Sequence, residues 1–222
     1  MAAVDFHNRV EQLFIAYLGR PANSTELELY SNEYNSIVEW NAANPTQPKT
    51  FYNMNLSTYL LDNSAFKGST NYGQVVEDMY TRLTGAAIPM DLYNVLVGRM
   101  MDGNWGVDKL AIKMLKATGL WAFEDGTYGK PPAFQFQATA TQPAVTTDFT
   151  VSTAADHASA QAKVEGAKLF TEQLDTPAEN TALTTAQGAT SATTWLAGVT
   201  AAAPATAESA AAGVAGATDA SV

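Results

Sequence analysis

The string DGNWGVD places Asp102, Asn104 and Asp108 at the first, third and seventh positions of a short loop. Oxygens at that spacing echo the start of a calcium loop, because a hard cation needs several oxygen ligands from one tight turn. The carboxylate that closes such a loop is missing, since Lys113 stands at the twelfth position. A capped turn is the plainer reading, and calcium is the one metal or cofactor the sequence suggests. Glu26, Glu28 and Glu33 come nearest to paired carboxylates for acid–base work, but their spacing reads as a solvated helix face. His7 and His157 lie in different segments, and His7 reads as a packing residue beside the first helix. The sequence has no Ser-His-Asp spacing, nucleophile elbow or phosphate-binding glycine loop. The series Tyr17, Tyr30, Tyr34, Trp40, Tyr52 and Tyr59 is either a sugar-stacking surface or core, and core is the default for aromatics at helical spacing. No enzymatic activity is expected.

The elements that carry these residues are written twice. VEQLFIAYLGRPANSTELELY begins at Val10, and VEDMYTRLTGAAIPMDLYNVL begins at Val76. Val10, Leu13, Phe14, Tyr17 and Leu18 form one apolar helical stripe. Gly19 stands where a helix C-cap belongs, and Pro21 prevents continuation. Asn23 or Ser24 then offers an N-cap, with Glu26 or Glu28 early in the second helix. That helix runs to about Trp40, and MNLSTYLLDNSAF supplies a third. In the second copy, Gly85 closes the first helix, Pro89 opens the second and Asp108 opens the third. Each copy reads helix, glycine turn, helix, loop, helix. Duplicated amphipathic trios can bury their apolar faces against each other.

Composition narrows the partners. The chain has 222 residues, no cysteine and a formal net charge of −10. Disulfides and thiol chemistry are therefore excluded. Phosphate backbones are repelled, so nucleic acid is not an expected partner. No run approaches the roughly 20 apolar residues of a membrane span. MAAVDFHNRV lacks a basic start and an apolar run, so no secretory signal is expected.

The composition shifts near position 137. Of the 12 Lys and Arg residues, 10 precede it, as do 14 of the 22 Asp and Glu residues. Residues 4–123 form the duplicated module, with copies at about 4–66 and 76–121. Residues 124–136 form a linker, and 137–222 a low-complexity arm. AFQFQATATQ alternates in an extended pattern, and a helix is expected over about Ala155–Asp175, ended by Pro177. The remaining Ala, Thr, Gly and Ser side chains are too small to build a core of their own. The expected fold is mainly α: a bundle of about six helices followed by an extended Ala/Thr-rich C-terminal arm. Order in that arm requires other chains or docking on the helical module. Phe134, Phe136, Phe149, Phe170 and Trp195 are the expected anchors against partner subunits. Gly19, Pro21 and Gly85 are the expected structural turns.

LFIAYLGRPANSTELELY, LLDNSAF and the degenerate second copy resemble a small helical domain of unknown function. That domain occurs in bacterial surface-layer proteins, secreted calcium-repeat proteins and marine phage structural proteins. The second copy departs from the pattern, with Ala86-Ala87 where the first has Arg-Pro. The resemblance implies surface or coat association without enzyme activity, and no ligand residues are carried over from it. The resulting expectation is a structural protein of a bacteriophage virion, an accessory capsid or tail component. Its partners are other structural proteins or copies of itself, through protein–protein interaction. The alternative is a cell-surface or surface-layer protein that binds surface glycan outside the cell.

Overall fold

The computed structural model describes residues 6–103, 105–118, 120, 134–136, 145–147 and 154–219. The protein is mainly α. The first trio comprises α1 (His7–Leu18), α2 (Ser24–Ala43) and α3 (Asn55–Asn63), with a 3-10 turn at Phe51–Asn53 before α3. The second comprises α4 (Tyr72–Thr84), α5 (Met90–Met101) and α6 (Val107–Ala117). Two short strands, β1 (Phe134–Phe136) and β2 (Val145–Thr147), pair antiparallel with Phe134 opposite Thr147. Then come α7 (Ala154–Glu172), α8 (Pro177–Ala182), α9 (Ala186–Ala197) and α10 (Ala207–Asp219). No helix among the described residues is long and apolar enough to cross a membrane.

The duplication is visible in the turns. Gly19 and Gly85 end α1 and α4 with φ of 71° and 76°, the left-handed conformation that a side chain disfavours. Both α4's closing glycine and the start of α5 lie 66 positions after their counterparts, Gly85 against Gly19 and Met90 against Ser24. The copies then drift apart because α2 has 20 residues and α5 has 12.

Helix α1 is the axis of the molecule. Every residue from Val10 to Tyr17 is buried, because α1 touches α2, α3, α4, α6 and α7. Val76, Met79, Tyr80 and Leu83 of α4 and Leu110, Met114 and Leu115 of α6 complete this core. Ala160, Val164 and Ala167 of α7 belong to the same cluster. A helix with all faces covered is apolar almost all round, as VEQLFIAYL nearly is.

The segment expected to form an extended arm with one helix near Ala155–Asp175 carries that helix as α7 and three more between 177 and 219, and it docks back on the module. Small residues make this possible. A Cβ on Gly188 would meet the Ala182 carbonyl oxygen at 2.2 Å, and one on Gly213 would meet the Trp195 ring at 2.9 Å. The helices thus approach to distances that only glycine permits, and close packing replaces bulk. Large groups are few but central: Phe170 and Trp195 lie 5.0 Å apart by ring centroids. Leu174, Leu183, Ala192, Val214 and Ala217 complete this second, smaller core. Pro177 opens α8 instead of ending α7. It follows a Thr176–Glu179 capping box at the first helical position, where a missing N–H costs nothing.

Candidate functional site

Between α1 and α2 the sequence GRPAN folds into a buried polar junction. Arg20 donates to both Glu26 carboxylate oxygens, at 2.9 and 2.8 Å, and to the Pro21 carbonyl at 2.8 Å. Tyr59 of α3 donates to the same carboxylate at 2.6 Å. Glu26 also completes a capping box with Asn23, which fixes the start of α2. Burial raises the cost of the Glu26 charge, but the Arg20 contacts outweigh it and hold its pKa below the ordinary value. Burial likewise opposes the Arg20 charge, and its bonds to Glu26 prevail, raising its pKa. Glu26 is therefore no solvated face residue, as its spacing suggested. The side chains of this pair are only 7% and 9% exposed. Glu28 is exposed, and Glu33 caps α3 by accepting from the Asn55 and Leu56 N–H groups at 2.6 and 3.1 Å.

The second copy has no Arg–Glu pair at the same turn. Ala86 and Leu92 stand 66 positions after Arg20 and Glu26, and Leu92 is buried. Thr84 there donates to the Tyr80 carbonyl and accepts from the Ala86 N–H. A buried ion pair and well-packed apolar residues are near equivalents in stability.

Glu11 ties this junction to the C-terminal helices. Its carboxyl accepts the Ala22 N–H at 2.9 Å and lies 2.7 Å from the Thr171 hydroxyl of α7. Burial pushes its pKa up from 4.5 to about 7, against the opposing pull of the Ala22 and Thr171 bonds. Asn180 of α8 adds a further tie by accepting the Ser24 N–H at 2.8 Å. Arg82 of α4 donates to the Tyr17 carbonyl and lies 4.5 Å over the Phe66 ring. Lys163 of α7 is 3% exposed, and burial lowers its pKa. Its ammonium sits beside Gly85 at the C-terminal end of α4, where a helix dipole favours positive charge. None of these roles was read from the sequence. The signal for Glu11 and Lys163 is weak: a charged residue inside an otherwise apolar or small-residue stripe.

An open groove of about 410 Å³ lies beside this core, walled by α1, α2, the loop before α3, and α6. Its cations are Arg9, Lys49 and Lys116, and no carboxylate is among the described residues that line it. Its floor is apolar, from Ile37, Val38, Phe51 and Ile112. Lys49 is held in place from both sides. Its N–H donates to the Asn41 side chain at 2.7 Å, and its carbonyl accepts from the same side chain at 2.9 Å. The Trp40 indole N–H donates to Gln47 of the same loop at 3.3 Å. The Lys49 ammonium then rests 4.2 Å over the Trp40 ring. The Tyr34 hydroxyl is buried at the groove and has no hydrogen-bond partner among the described residues. Burial raises its pKa, and Arg9 pulls the other way.

The residues singled out from the sequence divide accordingly. Of the aromatic series, Tyr17, Tyr30 and Tyr34 are core, Tyr59 is half-buried, and Trp40 and Tyr52 are exposed at 41% and 46%. Phe170 and Trp195 pack against each other within the chain, Phe170 fully buried and Trp195 half-buried. Phe134 and Phe136 stand in β1; their side chains, and all of Phe149, lie outside the described residues. Asp102 follows α5 and Asp108 lies in the first turn of α6, accepting the Lys109 N–H at 2.8 Å. Asn104 lies outside the described residues, and among these no group of three acidic or histidine side chains converges as metal ligands do. Pro21 is buried in the first turn, where its carbonyl receives Arg20. No family model, curated protein or solved structure matches this chain.

Proposed function

We propose that this chain is a non-enzymatic structural protein of a larger assembly, an accessory capsid or tail component of a virion. The observation that supports it is the use made of the buried charges. Glu11, Arg20 and Glu26 all hold turns or join distant helices. Groups so engaged stabilise a shape and are held away from acid–base or nucleophilic work. Duplication supports the same reading, because two trios sharing one core extend the outer surface a small chain can present. The resemblance of its LGRP segment to coat and surface modules points the same way.

A second reading, a cell-surface protein that binds glycan, draws support from the open groove, which the exposed Tyr52 lines, and from the exposed Trp40 on α2 nearby. Both are tested by raising antibody against the recombinant chain and fractionating a culture of its source on a density gradient. Comigration with intact particles is the expected result. Signal confined to cell envelopes replaces the first reading with the second, and signal confined to the soluble fraction overturns both.

A further inference from the structure

We infer that the groove between α1, α2 and α6 binds a small uncharged aromatic compound with a carbonyl oxygen, which accepts a hydrogen bond from the Tyr34 hydroxyl. This goes beyond the assembly role and does not depend on it.

The carbonyl follows from Tyr34. The residue is 5% exposed, and its hydroxyl has no hydrogen-bond partner among the described residues. Of the buried side chains with such an unpartnered atom, Tyr34 alone lines this groove. Its ring stacks on Phe6, with centroids 5.5 Å apart and planes 10° from parallel, so packing fixes its direction. Burial raises its pKa against the pull of Arg9, so the hydroxyl keeps its proton and remains a donor. A buried donor without an acceptor is unfavourable, and a ligand oxygen relieves it. The Asn41 and Thr50 side chains, also in the lining, already donate to the Lys49 carbonyl and to Asn53.

The aromatic body follows from the floor. Ile37, Val38, Phe51 and Ile112 are apolar, and the Phe51 and Tyr52 rings meet edge to face at 6.0 Å. A flat ring laid there buries area and gains ring contacts as well. An apolar cavity with few placed polar groups is the general form of a small-molecule site. The volume of about 410 Å³ lies within the usual range, roughly 300–1,000 Å³.

The lack of charge follows from the cations. Arg9 and Lys116 line the groove, but each already has a partner. The Lys49 ammonium rests on the Trp40 ring, which is not part of the lining. A charged ligand would lose hydration and have to displace these contacts to find a counter-ion.

The test is a fluorescence titration of the full chain with prodan, an uncharged naphthyl ketone whose emission moves to the blue in apolar surroundings. The expected result is saturable one-site binding with blue-shifted emission, reversed by acetylnaphthalene. Naphthoate, the same ring with a carboxylate, should compete about tenfold less well. Tyr34→Phe should weaken prodan binding about fivefold. Its melting temperature should equal or exceed that of the wild type, because the hydroxyl it removes is unpartnered. Val38→Trp, at a half-buried position on the wall, should fill the cavity and abolish binding. No saturable binding, or binding unchanged in Val38→Trp, refutes the site. Binding unchanged in Tyr34→Phe refutes the hydrogen bond. A lower melting temperature in Tyr34→Phe shows that the hydroxyl is satisfied within the fold, and refutes its role as the ligand's donor. Naphthoate competing as well as the ketone refutes the preference for an uncharged ligand.

Discussion

A fall in stability is expected as pH rises through neutrality, and Glu11→Gln should remove most of it. The unfolded carboxyl ionises above 4.5, while the folded one keeps its proton to about 7. Between those values the folded state binds more protons, so stability falls with rising pH. This contribution is fully present below 4.5 and is lost as pH passes about 7. At 1.36 kcal/mol per pH unit, the interval corresponds to about 3 kcal/mol. The hydrogen bonds give a structural reason. The Thr171 hydroxyl lies 2.7 Å from Glu11, 2.8 Å from the Ala22 carbonyl and 3.1 Å from the Ala167 carbonyl. It has one proton to donate. A neutral Glu11 donates to Thr171, which frees Thr171 to donate to Ala22, whose own N–H returns to Glu11. Ionised, Glu11 takes the Thr171 proton and the Ala22 carbonyl loses its partner. Glutamine reproduces the neutral arrangement, with its amide N–H₂ facing Thr171. Urea unfolding followed by circular dichroism, from pH 4.5 to 7.5, measures the effect. Wild type and variant should agree within about 1 kcal/mol at pH 4.5 and differ by about 3 at pH 7.5, the variant being more stable. His7, whose pKa burial lowers, pulls the other way: its contribution is present above 6.5 and lost as pH falls through its folded value. It is common to both proteins and cancels in the difference. Glu26, with a lowered pKa, acts below 4.5. Parallel pH profiles for the two proteins would refute the argument.

Arg20→Ala and Glu26→Leu should each cost about 3–4 kcal/mol, by stranding a buried charge or its partners. The double variant, which installs the second copy's Ala and Leu, should cost less than the sum by about 2 kcal/mol or more; additive losses in urea unfolding would deny the coupling. Gly19→Val and Gly85→Val should each destabilise by about 1–2 kcal/mol in thermal melts, through the left-handed backbone. Gly19 should suffer more, because its new Cβ meets Arg82 and Thr193 at 3.4 Å whereas that of Gly85 meets Lys163 at 3.8 Å; the reverse order would count against that packing. A chain ending before Ala154 should lose its sharp thermal transition and bind ANS, since α7 covers α1 and α4. A truncated chain that melts like the full one would contradict the shared core.

Much of the first half was legible because its signals are local. Gly19 and Gly85 mark helix ends by the one residue that tolerates their backbone, and the Asn23–Glu26 capping box is written in four consecutive letters. Helix α7 was expected close to its observed span, but the packing faces of the C-terminal helices resisted for the opposite reason. Ala160, Ala167, Gly188 and Gly213 carry no apolar bulk, so no hydrophobic stripe announces a packing face. Their contribution is closeness, which depends on what lies opposite. The groove was half legible: Tyr34 and Tyr52 stood in the aromatic series, but nothing in spacing brings Arg9, Lys49 and Lys116 around one concavity. Glu11 hid because a carboxylate beside Val10 reads as surface until α7 is laid over it.

The Glu11–Thr171 bond spans 160 positions of sequence. A ribosome adding roughly 5–20 residues per second takes about 10–30 s to cover that distance. For about the last third of that interval, after Ala117, all six helices of the module have been synthesised while α1 lacks its last cover. The face that α7 will occupy must wait, open to chaperones or to the neighbouring chain on the same message. Vectorial synthesis thus leaves the first helix to be sealed by α7, made long after it.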